Sequence, residues 1–364
     1  MKKSIGLILL VTILVLVGCS KQDDTDDLEI NKETEAEIVE ESEEKTEEET
    51  EEEIQVVEIP AGYVISRLSG EYIPEDLAGR RPYILMINNI KDANPQSGTS
   101  QATIIYEALV EGGITRLMGV FEDFSADRIG SIRSGRQYFA SIADEYDSIF
   151  VSFGESSNCT SKIQELGLDQ LSGLRGEGGT VFYRDSSIKA PHNAFASKEG
   201  VIKGTEMKEF NTDYNDGLNN HFIFYKEDTD LTSDQDVNKL TLKFSNYASP
   251  YFVYDSENKL YNRFQYGSEH IDANTGEQLK FKNIIVQFVD GFDIDETYSF
   301  SFKEASGDGY FITNGKASPI TWDKNEQNRS MVYYNSDKSM LEINPGKTFI
   351  AIFPGDKTSD IVFE

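Results

Sequence analysis

An α/β layered domain followed by a mostly β domain, α+β overall, is the fold that three observations predict. Between residues 81 and 225, apolar runs alternate with helical patterns. From residue 237 onward the runs are short, β-rich and separated by turn residues. A charged loop, KEDTDLTSDQD at residues 226–236, divides the two patterns. Alternation of strand and helix implies a layered α/β arrangement, and a run of short strands with turns implies a sheet or barrel. The expected domains are residues 75–225 and 237–360.

In the first domain, RPYILMINN reads as a buried strand. SGTSQATIIYEA opens on turn residues and is expected to carry a short helix. TRLMGVFED follows the Glu111-Gly112-Gly113 turn as a strand, and RIGSIRS continues as a short strand or loop. GRQYFASIADEY places Tyr138, Ile142 and Tyr146 on one helical face. DSIFVSFG is another buried strand. NCTSKIQELGL is a helix with Ile163, Leu166 and Leu168 inward and Gly167 near its end. In the second domain, KLTLKFS, YFVYDSENKLYNRFQYG, FKNIIVQFV, GYFITNGKASPITWDK, SMVYYNSDKSMLEIN and KTFIAIFP are strand runs. Asn-Gly, Asn-Ser-Asp and Asn-Pro-Gly turns lie among them. Trp322, Phe349 and Phe353 are expected in the core.

The N-terminus speaks to location. A basic start, Lys2-Lys3, precedes a 13-residue apolar run from Ile5 to Val17, and then Leu16-Val17-Gly18-Cys19. That run is too short to span a bilayer and reads as a signal peptide, residues 1–18. Its ending resembles the lipobox of bacterial lipoproteins, which implies an acyl (palmitate-type) lipid on Cys19 and attachment to the outer face of the cell membrane, Gram-positive style. Residues 19–65 read as an acidic tether. Residues 21–60 hold 19 Asp and Glu against three Lys and no aromatic residue. Such a segment buries too little apolar area to offset its ordering entropy. Cys159, the other cysteine, then has no partner within the chain, so no disulfide is expected.

The whole chain carries −30, of which −16 belongs to residues 61–364. A net acidic body excludes nucleic acid as an expected partner, because phosphate binding needs a basic face. No Cys or His stands at metal-ligand spacing, and there is no G-x-S-x-G or P-loop. No metal and no cofactor are therefore expected.

Three polar clusters carry the candidate chemistry. Around the double glycine, Glu107 and Glu111 could bind a divalent cation or act as acid and base, with Thr115 and Arg116 beside them. Glu111 pairing with Arg116 across the turn is the structural alternative. Arg133-Ser134-Gly135-Arg136 sits where a strand hands over to a helix, and helix-start N–H groups with two guanidiniums suit an anion. The alternative is two arginines neutralising nearby acids. In RDSSIKAPHNAF, residues 184–195, Pro191 fixes a bend. His192 is a candidate acid or base oriented by Asp185, and Arg184 and Asn193 are candidate ligand contacts. The alternative is that His192 and Asn193 brace a turn or cap a following helix.

The blocks ANPQSGTSQATIIYEALVEGGITRLMGVF, IGSIRSGRQYF, FYRDSSIKAPHNAF, YNRFQYGSEHIDANTGEQLKFKNIIVQ and GKASPITW resemble, in order, the YerB-like lipoproteins of Firmicutes. The likeness spans roughly residues 75 to 355. It implies a lipoprotein with an α/β N-terminal and a β-rich C-terminal domain of unknown function. The order of strands around IGSIRSGR is also similar to the LytR–CpsA–Psr cell-wall ligases, which place Arg and Asp about a polyprenyl pyrophosphate. Here the acid of that pair is replaced by Ser134. The leading expectation is a membrane-anchored envelope protein that binds a cell-wall ligand or envelope partner. An enzyme on a phosphorylated or lipid-linked wall substrate and a non-catalytic scaffold for cell-wall enzymes are the alternatives.

Overall fold

One mixed sheet of 11 strands runs through both halves of the chain. The computed structural model describes residues 59–215, 221–233, 235–294, 297–300, 305–324 and 330–364. The signal peptide, Cys19 and the tether up to residue 58 lie outside the described residues. The last residues read as tether, Tyr63–Ile65, instead form a short strand against Tyr72–Pro74.

The first half contributes β1 (Tyr83–Asn88), β2 (Ile104–Leu109), β3 (Thr115–Phe121), the short β4 (Ile129–Gly130), α1 (Gln137–Glu145), β5 (Ile149–Ser152), α2 (Ser157–Leu166), β6 (Gln170–Ser172), β7 (Phe182–Arg184), β8 (Ala194–Ala196) and α3 (Lys198–Met207). The second half adds β9 (Lys239–Leu242), β10 (Tyr251–Asp255), β11 (Leu260–Gln265), β12 (Asn283–Val289), β13 (Ala305–Thr313), β14 (Lys316–Lys324), β15 (Thr348–Pro354) and β16 (Ile361–Phe363). Nine of its strands run in the order β14-β13-β12-β15-β2-β3-β1-β5-β6, and the short strands Gln235–Asp236 and Val332–Asn335 both pair with β14. The seam between the halves is β15 against β2, parallel from Thr348↔Ile104 to Ile352↔Ala108. The architecture is α+β, and its two sequence regions share one sheet rather than building separate ones.

Strand β2 lies in the stretch expected to hold a short helix. Only a single 3-10 turn, Thr99–Gln101, forms there. All six residues of β2 are buried, so the strand lacks the alternation that reveals a half-exposed one. The two amphipathic helices stand where their spacing places them. α2 is capped by the Ser156 hydroxyl, which accepts from Cys159 N, and it ends on Gly167 at φ +65.

Side-chain alternation divides the core between the two sheet faces. Met86, Tyr106, Met118 and Val120 pack with Tyr138, Phe139 and Ile142 of α1 on one face. Leu85, Ile105, Leu117 and Phe121 face the other way, toward Val201 of α3 and toward Leu240, Phe252 and Tyr261 of the smaller sheet. Trp322, Phe349 and Phe353 are core residues, each no more than 2% exposed. Residues 57–364 form a compact unit containing both apolar clusters, the condition for folding on its own.

Candidate functional site

The buried strand β1 turns polar at its end, Asn88-Asn89. Asn88 stands opposite Arg116 of β3, and Arg116 stands opposite Ala108 of β2. Cross-strand partners share a face, so Asn88 and Arg116 project to the α1 side. Glu107, one residue from Ala108, projects to the opposite side. This corrects the expected grouping of Glu107 with Glu111 and Arg116. Glu107 is fully buried and ion-paired at 2.7 Å with Arg263, also fully buried. Asn89 Nδ2 donates to the same carboxylate at 3.0 Å and Thr115 Oγ1 at 2.6 Å. Its two oxygens are spent on holding the halves together, so it is not a free acid or base.

On the α1 side, the chain from Ser131 to Arg136 crosses the end of β1. Asn88 N donates to Ser131 O, and Arg133 N to Met86 O, both at 2.8 Å. Arg136 is the N-cap residue of α1, and no side chain caps that helix start. Three guanidiniums meet here. Arg116 is 4% exposed and donates to Ser134 O. Arg136 is 9% exposed, donates to Gly135 O at 2.7 Å and pairs with Glu111. Arg133 donates through Nη1 to Pro191 O at 3.3 Å. Its Nε is buried with no hydrogen-bond partner among the described residues.

Electrostatics register the crowding. Burial, then Arg136 and Arg133, pulls the Arg116 pKa down to about 9, so it stays charged at neutral pH. Burial and Arg136 lower that of Arg133. The carboxylate facing them is Glu111, whose pKa is lowered by Arg136 and Arg116 against the opposing effect of burial. The double-glycine turn therefore supplies an acid that pairs with Arg136 rather than Arg116.

The RDSSIKAPHNAF stretch arrives from the other side. His192 N donates to Lys189 O at 3.1 Å, closing a turn. Asn88 Nδ2 contacts His192 Nδ1 at 3.0 Å and Ser131 Oγ at 3.2 Å. With the amide donating to Nδ1, Nε2 carries the ring proton. Burial and the neighbouring Arg133 and Lys189 lower the His192 pKa, with Asp92 opposing, so the ring is neutral at pH 7.

Asp185 does not orient His192. It pairs with Arg128 at 2.9 Å and accepts from Ser187 N at 2.9 Å. Nor does a helix start at Asn193: β8 follows, and α3 begins at Lys198 with Ser197 as its cap. Asn193 Oδ1 accepts from Arg184 at 2.7 Å, and the Arg184 guanidinium lies 4.7 Å from the Phe153 ring centre. Phe153 N in turn donates to Arg133 O at 3.0 Å.

The structure thus joins Glu111, Arg116, Arg133, Arg136 and His192, sets Arg184 at the end of β7 and Asn193 just before β8, and removes Glu107 and Asp185 to other partners. Sequence reasoning missed Asn88, although an Asn-Asn pair ending an apolar strand is a readable signal. No group of three or more His, Cys, Asp or Glu capable of holding a metal occurs among the described residues.

Two domain matches cover these elements. Residues 68–211 match the "Protein of unknown function (DUF3048) N-terminal domain", and residues 240–350 match the C-terminal domain of the same family. The chain is 28% identical over 289 residues to "Putative lipoprotein YerB" of Bacillus subtilis, covering 79% of this chain and 85% of that protein. The crystal structure of the YerB protein from Bacillus subtilis aligns with a TM-score of 0.73 at 27% identity, covering 83% of this chain and 99% of that one.

Proposed function

Since the chain belongs to the YerB-like lipoprotein family, we propose that it is held by a lipid on Cys19 at the outer face of the cell membrane and binds an anionic group of an envelope component. The binding cleft is formed by the loops carrying Arg116, Arg133, Arg136 and His192. The observation that carries this reading is the charge of the cluster: three guanidiniums face one carboxylate, in a body whose net charge is −16. Arg116 and Arg133 have no carboxylate of their own among the described residues, which favours an external anion beside them. Arg133, with a buried, unpartnered Nε, and the uncapped start of α1 are the donors available to it.

Binding is favoured over turnover by what the acids are doing. Glu107 is committed to Arg263, Glu111 to Arg136 and Asp185 to Arg128. His192 remains as a neutral ring whose Nε2–H can donate to a bound oxygen.

The test is calorimetric titration of the Val57–Glu364 unit with inorganic phosphate and pyrophosphate. A charge-assisted hydrogen bond contributes about 1.5–3 kcal/mol, so Arg133→Gln is expected to weaken binding roughly ten-fold or more. Equal affinity of the Arg133→Gln and Arg136→Gln variants and the parent would refute the assignment.

A further inference from the structure

A second site lies at the seam of the two halves, away from the arginines. We propose that the cavity between the Thr99–Gln101 turn, β11 and the turn before β15 binds an apolar carboxylic acid, its carboxylate held by Lys347 and Thr99. The cavity has a volume of about 850 Å³, within the range of small-ligand pockets. Its inner wall is apolar: Ala102, Ile105, Leu279 and Phe281 are each no more than 2% exposed.

Two polar groups in this wall are incompletely satisfied. Lys347 Nζ donates to Ser100 O and makes no ion pair among the described residues, although an ammonium has three donors. Thr99 is 1% exposed, and its Oγ1 is buried without a hydrogen-bond partner. Lys347 and Thr99 both line this cavity, and the carbonyl on which Lys347 rests belongs to Ser100, the residue after Thr99. A hydroxyl and an ammonium both donate to a carboxylate, and the apolar wall beyond them suits a hydrocarbon body.

The neighbouring acids do not fill this role. Asp272 accepts from Gly98 N at 2.9 Å and from Ser100 N and Oγ at 2.8 and 2.6 Å. Glu71, Glu227 and Glu277 are exposed at the mouth, where water screens them beside Lys226 and Lys280, while Asp228 pairs with Lys259 and Lys282 and Asp255 accepts from Asn258. An acyl chain and the C-terminus of a peptide ending in an apolar residue offer the same chemistry.

Calorimetric titration of the Val57–Glu364 unit with sodium hexanoate, with N-acetyl-Ala-Leu and with 1-hexanol tests this. At least one acid is expected to bind, with hexanol at least ten-fold weaker. Binding of hexanoate alone assigns an acyl chain, and binding of the dipeptide alone assigns a peptide C-terminus. Lys347→Met should weaken the acid ten-fold or more and Thr99→Val several-fold. The proposal is overturned if neither acid binds, if hexanol binds as tightly, or if both Lys347→Met and Thr99→Val retain full affinity. Should Lys347→Met fail to fold, Thr99→Val decides alone. Because the arginine cluster is read out by phosphate and this cavity by hexanoate or the dipeptide, failure of one leaves the other standing.

Discussion

Replacing Glu107 by Gln should unfold the molecule at markedly lower denaturant. The carboxylate and Arg263 are both fully buried, 2.7 Å apart and 156 residues apart in sequence. Arg263 also contacts Gln265 Oε1 at 2.9 Å and His270 Nδ1, and its Nε is unpartnered. Gln at 107 can still accept from Thr115 and Asn89 through its oxygen. It then turns an amide nitrogen toward the guanidinium, leaving a buried cation without a counter-charge. Breaking one side of such a pair costs about 3–5 kcal/mol. With a urea slope near 3 kcal/mol per M for a unit of this size, the midpoint should fall by roughly 1–1.7 M. The double variant Glu107→Gln/Arg263→Met removes both charges and should recover at least ~1 kcal/mol relative to the sum of the single losses. A midpoint shift under about 0.3 M, or strictly additive losses, would refute the reasoning that this pair fastens β11 to β2.

Other outcomes follow from the same physics. His221 is held neutral by burial, with its pKa pushed down to about 3, and the adjacent Glu145 is already neutralised by Lys324. The unfolded chain binds that proton near pH 6.5, so this contribution to stability is present above pH 6.5 and lost as pH falls toward 3. The loss amounts to about 2 kcal/mol by pH 5, and His221→Gln should lessen the fall in urea midpoint between pH 7 and 5, leaving the part due to the buried His270. An unchanged pH slope would contradict it. Gly167→Ala places a Cβ at φ +65 in open space, so strain alone should cost about 1 kcal/mol by urea melt, and no loss would remove the left-handed cap argument. Cys159 is fully buried with its thiol pushed up to about 12, so iodoacetamide at pH 8 should label it only after unfolding. Rapid native labelling would show that α2 opens.

Legibility in the sequence followed amphipathicity. Helices α1 and α2 could be read because Tyr138, Ile142 and Tyr146, and Ile163 with Gly167, carry a period and a stop signal. The helix-start arginines at 133 and 136 were readable for the same reason. Strand β2 was not, since six buried residues show no alternation. Reading Glu107 beside Glu111 required knowing that it lies in a strand, where a one-residue step reverses the face. The partners that decide the site are distant: Asn88 meets His192 across 104 residues, and Asp185 turns to Arg128 because a β-hairpin, not a helix start, occupies that stretch. The shared sheet was likewise beyond local pattern, because parallel pairing of β15 with β2 leaves no mark in either segment.

The proposed anion site is tested most directly by NMR of the Val57–Glu364 unit labelled at arginine side chains and titrated with pyrophosphate. The Nε–H signals of Arg133 and Arg136 and the His192 ring are expected to shift first and saturate together. Shifts confined to other arginines, or none at millimolar pyrophosphate, would contradict it.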